Sequence, residues 1–262
     1  MCRLQCRDED PDRYFISLFG PSHRRKWLWV LLAFNSEISR IRETTRELMI
    51  GRIRLQWWRE GVEEAAGICV REHHILQALS QLLITDLIDK SILDRILDAR
   101  EQDLLRERFE DFEQVNVFVQ ETSGLLAIAS AQIIGYNPDN TMLAQKIGTA
   151  WGLIGLVRSA TFHFHSGKSY LPGCKDLHPN PFISSAGVIT QMVEKALQLV
   201  EEIESDPSYL SERMARLYVS LIKSDIAIAR SLVGQNEDWP REYMFKRQLQ
   251  ICYTAWFGAK RL

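Results

Sequence analysis

Two pairs of aspartates are the side chains of this sequence whose type and spacing suit a metal ion. Asp8 and Asp12 lie four residues apart, and so do Asp94 and Asp98. On a helix this spacing places both carboxylates on one face, and carboxylate oxygens are the ligands that Mg²⁺ prefers. Either pair is therefore a candidate magnesium site.

Both pairs also have a structural interpretation. The first pair flanks Pro11 and lies ahead of the first predicted helix, which favours a solvated helix cap. The second pair alternates with Arg95 and Arg100, a pattern typical of an exposed face held by ion pairs. We expect these structural roles and keep metal binding as the alternative.

Other catalytic signatures are absent from the sequence. It contains no G-x-x-x-x-G-K-[ST], no G-x-G-x-x-G, no H-E-x-x-H and no G-x-S-x-G. Histidines cluster only as His73-His74 and His163-x-His165. His73 and His74 are adjacent on a predicted helix, so they point to different sides and are expected at the surface.

Composition excludes several classes of protein. The 262 residues include 32 Lys and Arg against 34 Asp and Glu, for a formal charge of −2 and a pI near 6.3. This balance argues against nucleic-acid binding through bulk basic charge. The 5 scattered cysteines argue against a disulfide framework and favour a reducing compartment. No run approaches the roughly 20 apolar residues that span a bilayer, and the acidic first residues resemble neither a signal nor a transit peptide.

The elements that must position the candidate residues are predicted to be helices. Apolar residues recur at steps of three and four, whereas the period of two that is typical of strands is not evident. We predict one all-α domain over 1–262 with eight or nine helices. The main helices are predicted at 27–41, 47–64, 75–83, 92–104, 115–134, 142–163, 185–204, 209–233 and 241–257.

Three glycines lie inside the predicted helix 142–163. Gly148, Gly152 and Gly155 are spaced by four and three residues. Each costs roughly 1 kcal/mol of helix propensity against alanine. Their spacing indicates either close packing of a neighbouring helix, which we favour, or the approach of a bound ligand.

Several short motifs, taken in order, resemble the squalene/phytoene synthase family. Ala33-Phe34 closes an apolar helix, Trp58-Arg59 follows, and Arg158 precedes the segment from Lys168 to Pro172. The resemblance extends from about residue 14 to residue 256. It implies the all-α isoprenoid synthase fold, a helical bundle around a central apolar cavity. It also implies the head-to-head joining of two prenyl diphosphates, with Mg²⁺ held by two aspartate-rich helices.

The sequence departs from the family at both aspartate-rich motifs. The first motif should fall on Ser39, Arg40 and Glu43, and we name these residues the first motif position. The second should fall on Arg158, Ser159 and His163, the second motif position. Only Glu43 keeps a carboxylate. Since Mg²⁺ requires hard oxygen ligands, the resemblance with these losses predicts a pseudoenzyme without a metal or other cofactor.

The replacements resemble one branch of the family, whose members assist the assembly of respiratory complex I, the NADH:quinone oxidoreductase. The residues that carry this resemblance include Phe34-Asn35, Glu37, Ile50-Gly51, Arg54 and Gln56. It implies complex I subunits or assembly intermediates as partners. The expected location is the bacterial cytoplasm, with membrane association open, or the matrix side in a mitochondrion.

The cations that remain at the two motif positions suggest a residual anion site. The predicted binding residues are Arg40, Arg158, His163, Lys168 and Tyr170, with Arg42 nearby in sequence. Such a cluster suits direct binding of an anion, and the cavity would hold a prenyl or other lipid. The alternative is structural ion pairing with carboxylates such as Glu37 and Glu43.

Two further functions stay open. One is an active, Mg²⁺-dependent prenyltransferase with a rearranged site, for which the candidate ligands are Glu37, Glu43, Asp94 and Asp98. The other is an isoprenoid or lipid carrier without a role in complex I. Tyr170 and the tryptophans at 57 and 58 are expected in the core or cavity wall. Trp239 and Trp256-Phe257, if exposed, would suit a partner or a membrane surface.

Overall fold

The structure is a computed structural model that describes residues 1–67, 69–106, 108–136, 140–172, 179–240 and 243–257. In these ranges the backbone is helical and contains no β-strand, so the predicted all-α class is confirmed. The helices are α1 (Cys2–Glu9), α2 (Pro11–Ser17), α3 (Arg25–Ser39), α4 (Ile41–Thr44), α5 (Leu48–Ala66), α6 (His74–Ile84), α7 (Lys90–Leu105), α8 (Phe112–Val119), α9 (Leu125–Ile134), α10 (Thr141–Arg158), α11 (Ala160–His165), α12 (Pro181–Ser184), α13 (Ala186–Glu204), α14 (Arg213–Leu232) and α15 (Tyr243–Phe257).

Residue contacts divide the chain into two compact units. The first unit contains Met1–Arg106 and Leu125–Thr141, and the second contains Glu107–Gly124 and Met142–Leu262. The single domain over 1–262 stays a prediction. The sequence Asn137-Pro138-Asp139 is typical of a turn, and the prolines of 165–181 predict a loop. The turn and part of the loop lie outside the described residues.

Helix α3 lies at the centre of the first unit. Its apolar residues repeat every three or four positions, and Leu31, Phe34 and Ile38 are fully buried. Helices α1, α6 and α9 pack around α3, while α5 packs on α6 and α7. The stripe that predicted a helix at 27–41 is therefore the side of α3 that forms the core.

Two helices precede the first predicted one. Asp10 separates α1 from α2, and its carboxylate accepts a hydrogen bond from the Arg13 backbone N–H at 3.3 Å, which caps α2. Asp8 lies inside α1, and Asp12 lies buried inside α2. The prediction that these aspartates form a solvated cap ahead of the first helix is therefore wrong. Helix α1 was not predicted because it has too few apolar residues to show a stripe.

In the second unit, α13 packs against α14 and α14 packs against α15. The helix predicted at 142–163 is divided into α10 and α11 at Ser159. The Ser159 hydroxyl donates a hydrogen bond to the Gly155 carbonyl oxygen at 2.8 Å. Thr149 makes the same kind of hydrogen bond to Gln145 within the continuous part of α10, so this bond alone does not account for the break, and the apolar periodicity does not reveal it.

The glycines of α10 differ in their surroundings. A Cβ at Gly152 would lie 2.5 Å from Val119 Cγ1 and 2.8 Å from Ser123 Cβ, whereas a Cβ at Gly155 would meet nothing within 4 Å. Close packing, the favoured interpretation of these glycines, is therefore confirmed at Gly152. It does not apply to Gly155.

The segment Phe112–Ile134 is long and apolar enough to cross a membrane, with a mean hydropathy of 1.4. The sequence analysis expected no segment of this length. This one was missed because polar residues interrupt its apolar run. A share of 56% of its most apolar window is buried inside the protein. Core helices pass the same test of length and composition. The run 115–134 is apolar and rich in small residues, which predicts a buried helix, and this burial agrees with it.

Candidate functional site

The first motif position lies at the carboxyl end of α3 and in α4, next to α1, and its Arg40 side chain is 53% exposed. Arg40 Nη1 lies 2.5 Å from Glu9 Oε1 in an ion pair. Beside it, Gln5 Nε2 donates a hydrogen bond to Glu37 Oε1 at 2.6 Å. Ser39 Oγ donates to the carbonyl oxygen of Ser36 at 3.1 Å. The side chains of Ser39 and Arg40 therefore bind other groups of the protein.

Arg42 serves a structural role in the same unit. It is buried, and its Nη1 lies 3.2 Å from Oδ1 of Asp103, a carboxylate that is itself buried on α7. This pair agrees with the structural alternative from the sequence, in which the cations pair with carboxylates of the chain. Asp103 could have been identified from the sequence as a candidate buried carboxylate, since it is an acidic residue beside the apolar positions of the predicted helix 92–104.

The second motif position begins with a cluster of charges on α10, α14 and α15. Arg158 Nη1 lies 3.3 Å from Asp225 Oδ2, and Arg247 Nη1 donates a hydrogen bond to Asp225 Oδ1. The Asp225 side chain is only 2% exposed. Both guanidinium groups also lie near the Trp151 ring, at 5.6 and 5.7 Å from its centroid. Sequence reasoning missed Asp225 and Arg247, although Asp225 interrupts an apolar stripe.

His163 and Tyr170 are brought together at the end of α11. Their ring centroids lie 4.8 Å apart, and both side chains are buried. Tyr170 also stacks on Phe118 at 5.6 Å and lies 5.9 Å from Phe109. The Lys168 backbone N–H donates to the His163 carbonyl oxygen at 3.0 Å. The predicted core or cavity-wall position of Tyr170 is confirmed as core.

The five predicted binding residues are distributed over both units. Arg40 belongs to the first unit, and Arg158, His163, Lys168 and Tyr170 belong to the second. Arg40 and Arg158 hold carboxylates of the chain, which favours structural pairing. That these residues bind an anion or a lipid stays a prediction.

Of the two histidines at 73 and 74, the first departs from its predicted place. His73 precedes α6 instead of lying within a helix, and its ring packs 5.3 Å from Trp57 and 5.2 Å from Trp58. Burial against these rings lowers the pKa of His73 below its ordinary value, and the neighbouring His74 adds to the shift. His74 is exposed as predicted, whereas His73 is half-buried. Trp58 is buried as expected, whereas Trp57 is 38% exposed.

The carboxylates of the alternative metal site are engaged in ion pairs. Lys90 Nζ lies 2.8 Å from Asp94 Oδ2, and Arg59 Nη1 lies 2.8 Å from Asp98 Oδ1. The exposed, ion-paired face predicted for this helix is therefore confirmed. Glu43 is exposed on α4.

The residues at the motif positions do not fit Mg²⁺. Serine, arginine and histidine replace the carboxylates that a hard cation requires, and Arg40 would add positive charge to the site. Across the described ranges, no group of three or more His, Cys, Asp or Glu side chains lies close enough to hold a metal ion. We therefore derive no metal-dependent step at this site.

The comparisons with known proteins identify one family. The sequence profile of the squalene/phytoene synthase family matches residues 6–175, more than half of the chain. The chain belongs to this family, as its motifs predicted.

Solved structures show the same fold. Squalene synthase HpnC from Alicyclobacillus acidocaldarius aligns with a TM-score of 0.73 at 18% identity, over 89% of this chain and 93% of that chain. A dehydrosqualene synthase, crystallised with a ligand, aligns with a TM-score of 0.80 at 13% identity, over 100% of this chain and 96% of that chain. The predicted isoprenoid synthase-like fold is confirmed.

Curated relatives belong to the predicted branch. The human protein named NADH dehydrogenase (ubiquinone) complex I, assembly factor 6 is 26% identical over 174 residues, or 65% of this chain and 52% of that protein. Its homolog from Dictyostelium discoideum is 24% identical over 166 residues, or 62% and 47%. The chain spans about half the length of the curated relatives it matches. The resemblance to this branch is confirmed.

Proposed function

We propose that this protein assists the assembly of NADH:quinone oxidoreductase, respiratory complex I, as a non-catalytic member of the squalene/phytoene synthase family. The observation that carries the proposal is the replacement of metal-binding carboxylates at both motif positions. At the first, Arg40 stands in an ion pair with Glu9. The relatives over this region bear the name of a complex I assembly factor, which supports the choice of target.

The proposed role depends on protein contacts and needs no metal or cofactor. Its partners are complex I subunits or assembly intermediates. It takes place on the cytoplasmic side of a bacterial membrane or on the matrix side in a mitochondrion. A bound isoprenoid or other lipid would support the fold without being converted.

The catalytic alternative is tested directly with the purified, folded protein. We expect no release of pyrophosphate from farnesyl or geranylgeranyl diphosphate in the presence of Mg²⁺ and NADPH, because neither motif position holds a carboxylate cluster. Sustained turnover that is lost in Glu43→Gln or Asp98→Asn would overturn the non-catalytic proposal. It would instead favour a prenyltransferase with an atypical site.

The assembly role is tested by deletion and rescue in the host. Loss of the gene should lower NADH:quinone reductase activity and leave complex I intermediates on native gels. A double variant, Glu43→Gln with Asp98→Asn, should restore complex I as well as the unaltered protein does. Both side chains are exposed, so their replacement leaves the fold intact.

Three results of these experiments would count against the proposal. Normal complex I after deletion would remove the assembly role. A stoichiometric lipid in the purified protein, together with normal complex I, would favour the carrier function. Failure of only the double variant would point to chemistry at these carboxylates.

A further inference from the structure

One face of α15 carries large apolar side chains that contact solvent. Positions 249, 253 and 256 follow the spacing of a single helical stripe, and residue 257 lies beside it. The exposed fractions are 54% for Leu249, 60% for Tyr253, 74% for Trp256 and 51% for Phe257. We name these four residues the aromatic face. It is an exposed patch of the kind that marks an interaction site.

The other face of α15 is bound to α14. Ile251 and Ala255 are buried. The Gln250 side chain donates a hydrogen bond to the Ser220 carbonyl oxygen at 2.7 Å, and the hydroxyls of Ser220 and Thr254 lie 2.9 Å apart. Since these contacts set the rotation of the helix, the aromatic face is held outward.

Basic side chains accompany the aromatic face. Although the whole chain has a net charge of −2, the stretch from residue 243 to residue 262 contains no Asp or Glu. Among its basic residues, Arg247 is buried against Asp225, and Lys260 and Arg261 lie outside the described residues. Lys246 is exposed. From α14, the exposed Arg213 donates a hydrogen bond to the Ala255 carbonyl oxygen at 3.2 Å, next to Trp256. The surface therefore suits a partner that is both apolar and anionic.

This combination is that of a helix lying in a membrane interface. Tyrosine and tryptophan place an apolar ring and a polar tip at the boundary between headgroups and acyl chains. Basic residues beside such a face are attracted to anionic lipids. We propose that α15 docks this protein on the surface of an anionic lipid bilayer through its aromatic face. The proposal does not depend on the role in complex I assembly.

A second exposed apolar stripe offers a matched comparison. Met49, Ile53 and Trp57 follow one another at steps of four residues on α5 and are exposed to a similar extent. The acidic Glu60 and Glu101 line the same surface together with Arg52, and Arg71 lies over the Trp57 ring. Because these carboxylates offset the charge of the two arginines, we expect this stripe to attract anionic lipids less than the aromatic face does.

The experiment is vesicle sedimentation with the full chain. Phosphatidylcholine vesicles that contain phosphatidylglycerol should bind the protein, vesicles of phosphatidylcholine alone should bind it less, and salt should weaken binding. The variant Tyr253→Ser with Trp256→Ser should bind about tenfold more weakly or worse, because it removes most of the apolar contact. Lys246→Gln should reduce only the preference for anionic vesicles. The control, Met49→Ser with Ile53→Ser, should bind as the unaltered protein does.

Several results would overturn the proposal. They are no binding to either vesicle, equal binding by the Tyr253 and Trp256 variant, and loss of binding in the α5 control. A dimer in solution that the Tyr253 and Trp256 variant dissociates, without vesicle binding, would show that the face binds a second copy. Circular dichroism checks that the variants are folded. Since the assay contains no complex I subunit, its failure is distinct from failure of the assembly role.

Discussion

At the scale of single residues, Asp225 determines how the arginine of the second motif position is used. Its carboxylate lies between Arg158 and Arg247 and is almost completely shielded from water. A buried carboxylate is tolerated only when cations and hydrogen bonds compensate for its lost hydration. Arg158 therefore stabilises the second unit, whatever else it binds.

We predict that Asp225→Asn lowers the free energy of unfolding by about 3 kcal/mol or more. Removal of one partner leaves buried guanidinium charge without its counterion, which costs far more than loss of an exposed pair. Urea unfolding followed by circular dichroism measures the change. The matched control is Asp98→Asn, whose side chain is 63% exposed beside Arg59, and which should lose less than about 1 kcal/mol. Equal effects of the two substitutions would contradict the assignment.

At the scale of elements, α10 combines a tightly packed glycine with an open one. The side of α10 at Gly152 faces Val119 of α8 and Ser123 of the π-helical turn Gln120–Gly124. Val119 is stiff at χ1 because it is β-branched, and the Ser123 contact involves a Cβ that moves only with its backbone. Neither neighbour can yield without shifting its own helix.

Two alanine substitutions on α10 should therefore have opposite signs. Gly152→Ala should lower the free energy of unfolding by about 1–3 kcal/mol through overpacking. Gly155→Ala, with nothing within 4 Å of the new methyl group, should raise it by up to about 1 kcal/mol through helix propensity. Thermal and urea unfolding of the two variants test this. A stabilising Gly152→Ala would show that α8 is not packed as closely as this structure has it.

At the scale of the whole molecule, the loss of carboxylates separates this chain from the metal chemistry that its family resemblance implies. Ser39, Arg40, Ser159 and His163 stand where aspartates are expected, and the residues that the structure describes contain no metal-binding group of three. A ligand that binds only the native state must raise its stability. Thermal unfolding therefore reports on a metal site without any assay of turnover.

We predict the same midpoint of thermal unfolding in Mg²⁺ and in EDTA. A site saturated at a hundred times its dissociation constant would add about 2.7 kcal/mol, which is a shift of several degrees for a domain of this size. Differential scanning calorimetry measures it. A midpoint that rises with Mg²⁺, returns with EDTA and no longer responds in Glu43→Gln would revive the prenyltransferase alternative.

Much of the fold could be predicted because helical periodicity is a property of local spacing. The stripe at 27–41 became α3, and the apolar positions at 92–104 became part of α7. Short or interrupted helices were less visible. Helix α1 carries too few apolar residues to show a stripe, and nothing in the apolar spacing marks the break at Ser159.

The sequence by itself determined the helical class, the family and the loss of both carboxylate motifs, because residue types and their spacing along the chain carry this information. Only the tertiary structure decided which charges meet. Arg158 and Asp225 are 67 residues apart, and Arg42 finds Asp103 on another helix. The tertiary structure also decided which tryptophans are exposed, since Trp58 is buried and Trp256 faces solvent. Ion pairing and burial depend on which helices pack together, and local spacing does not encode that packing.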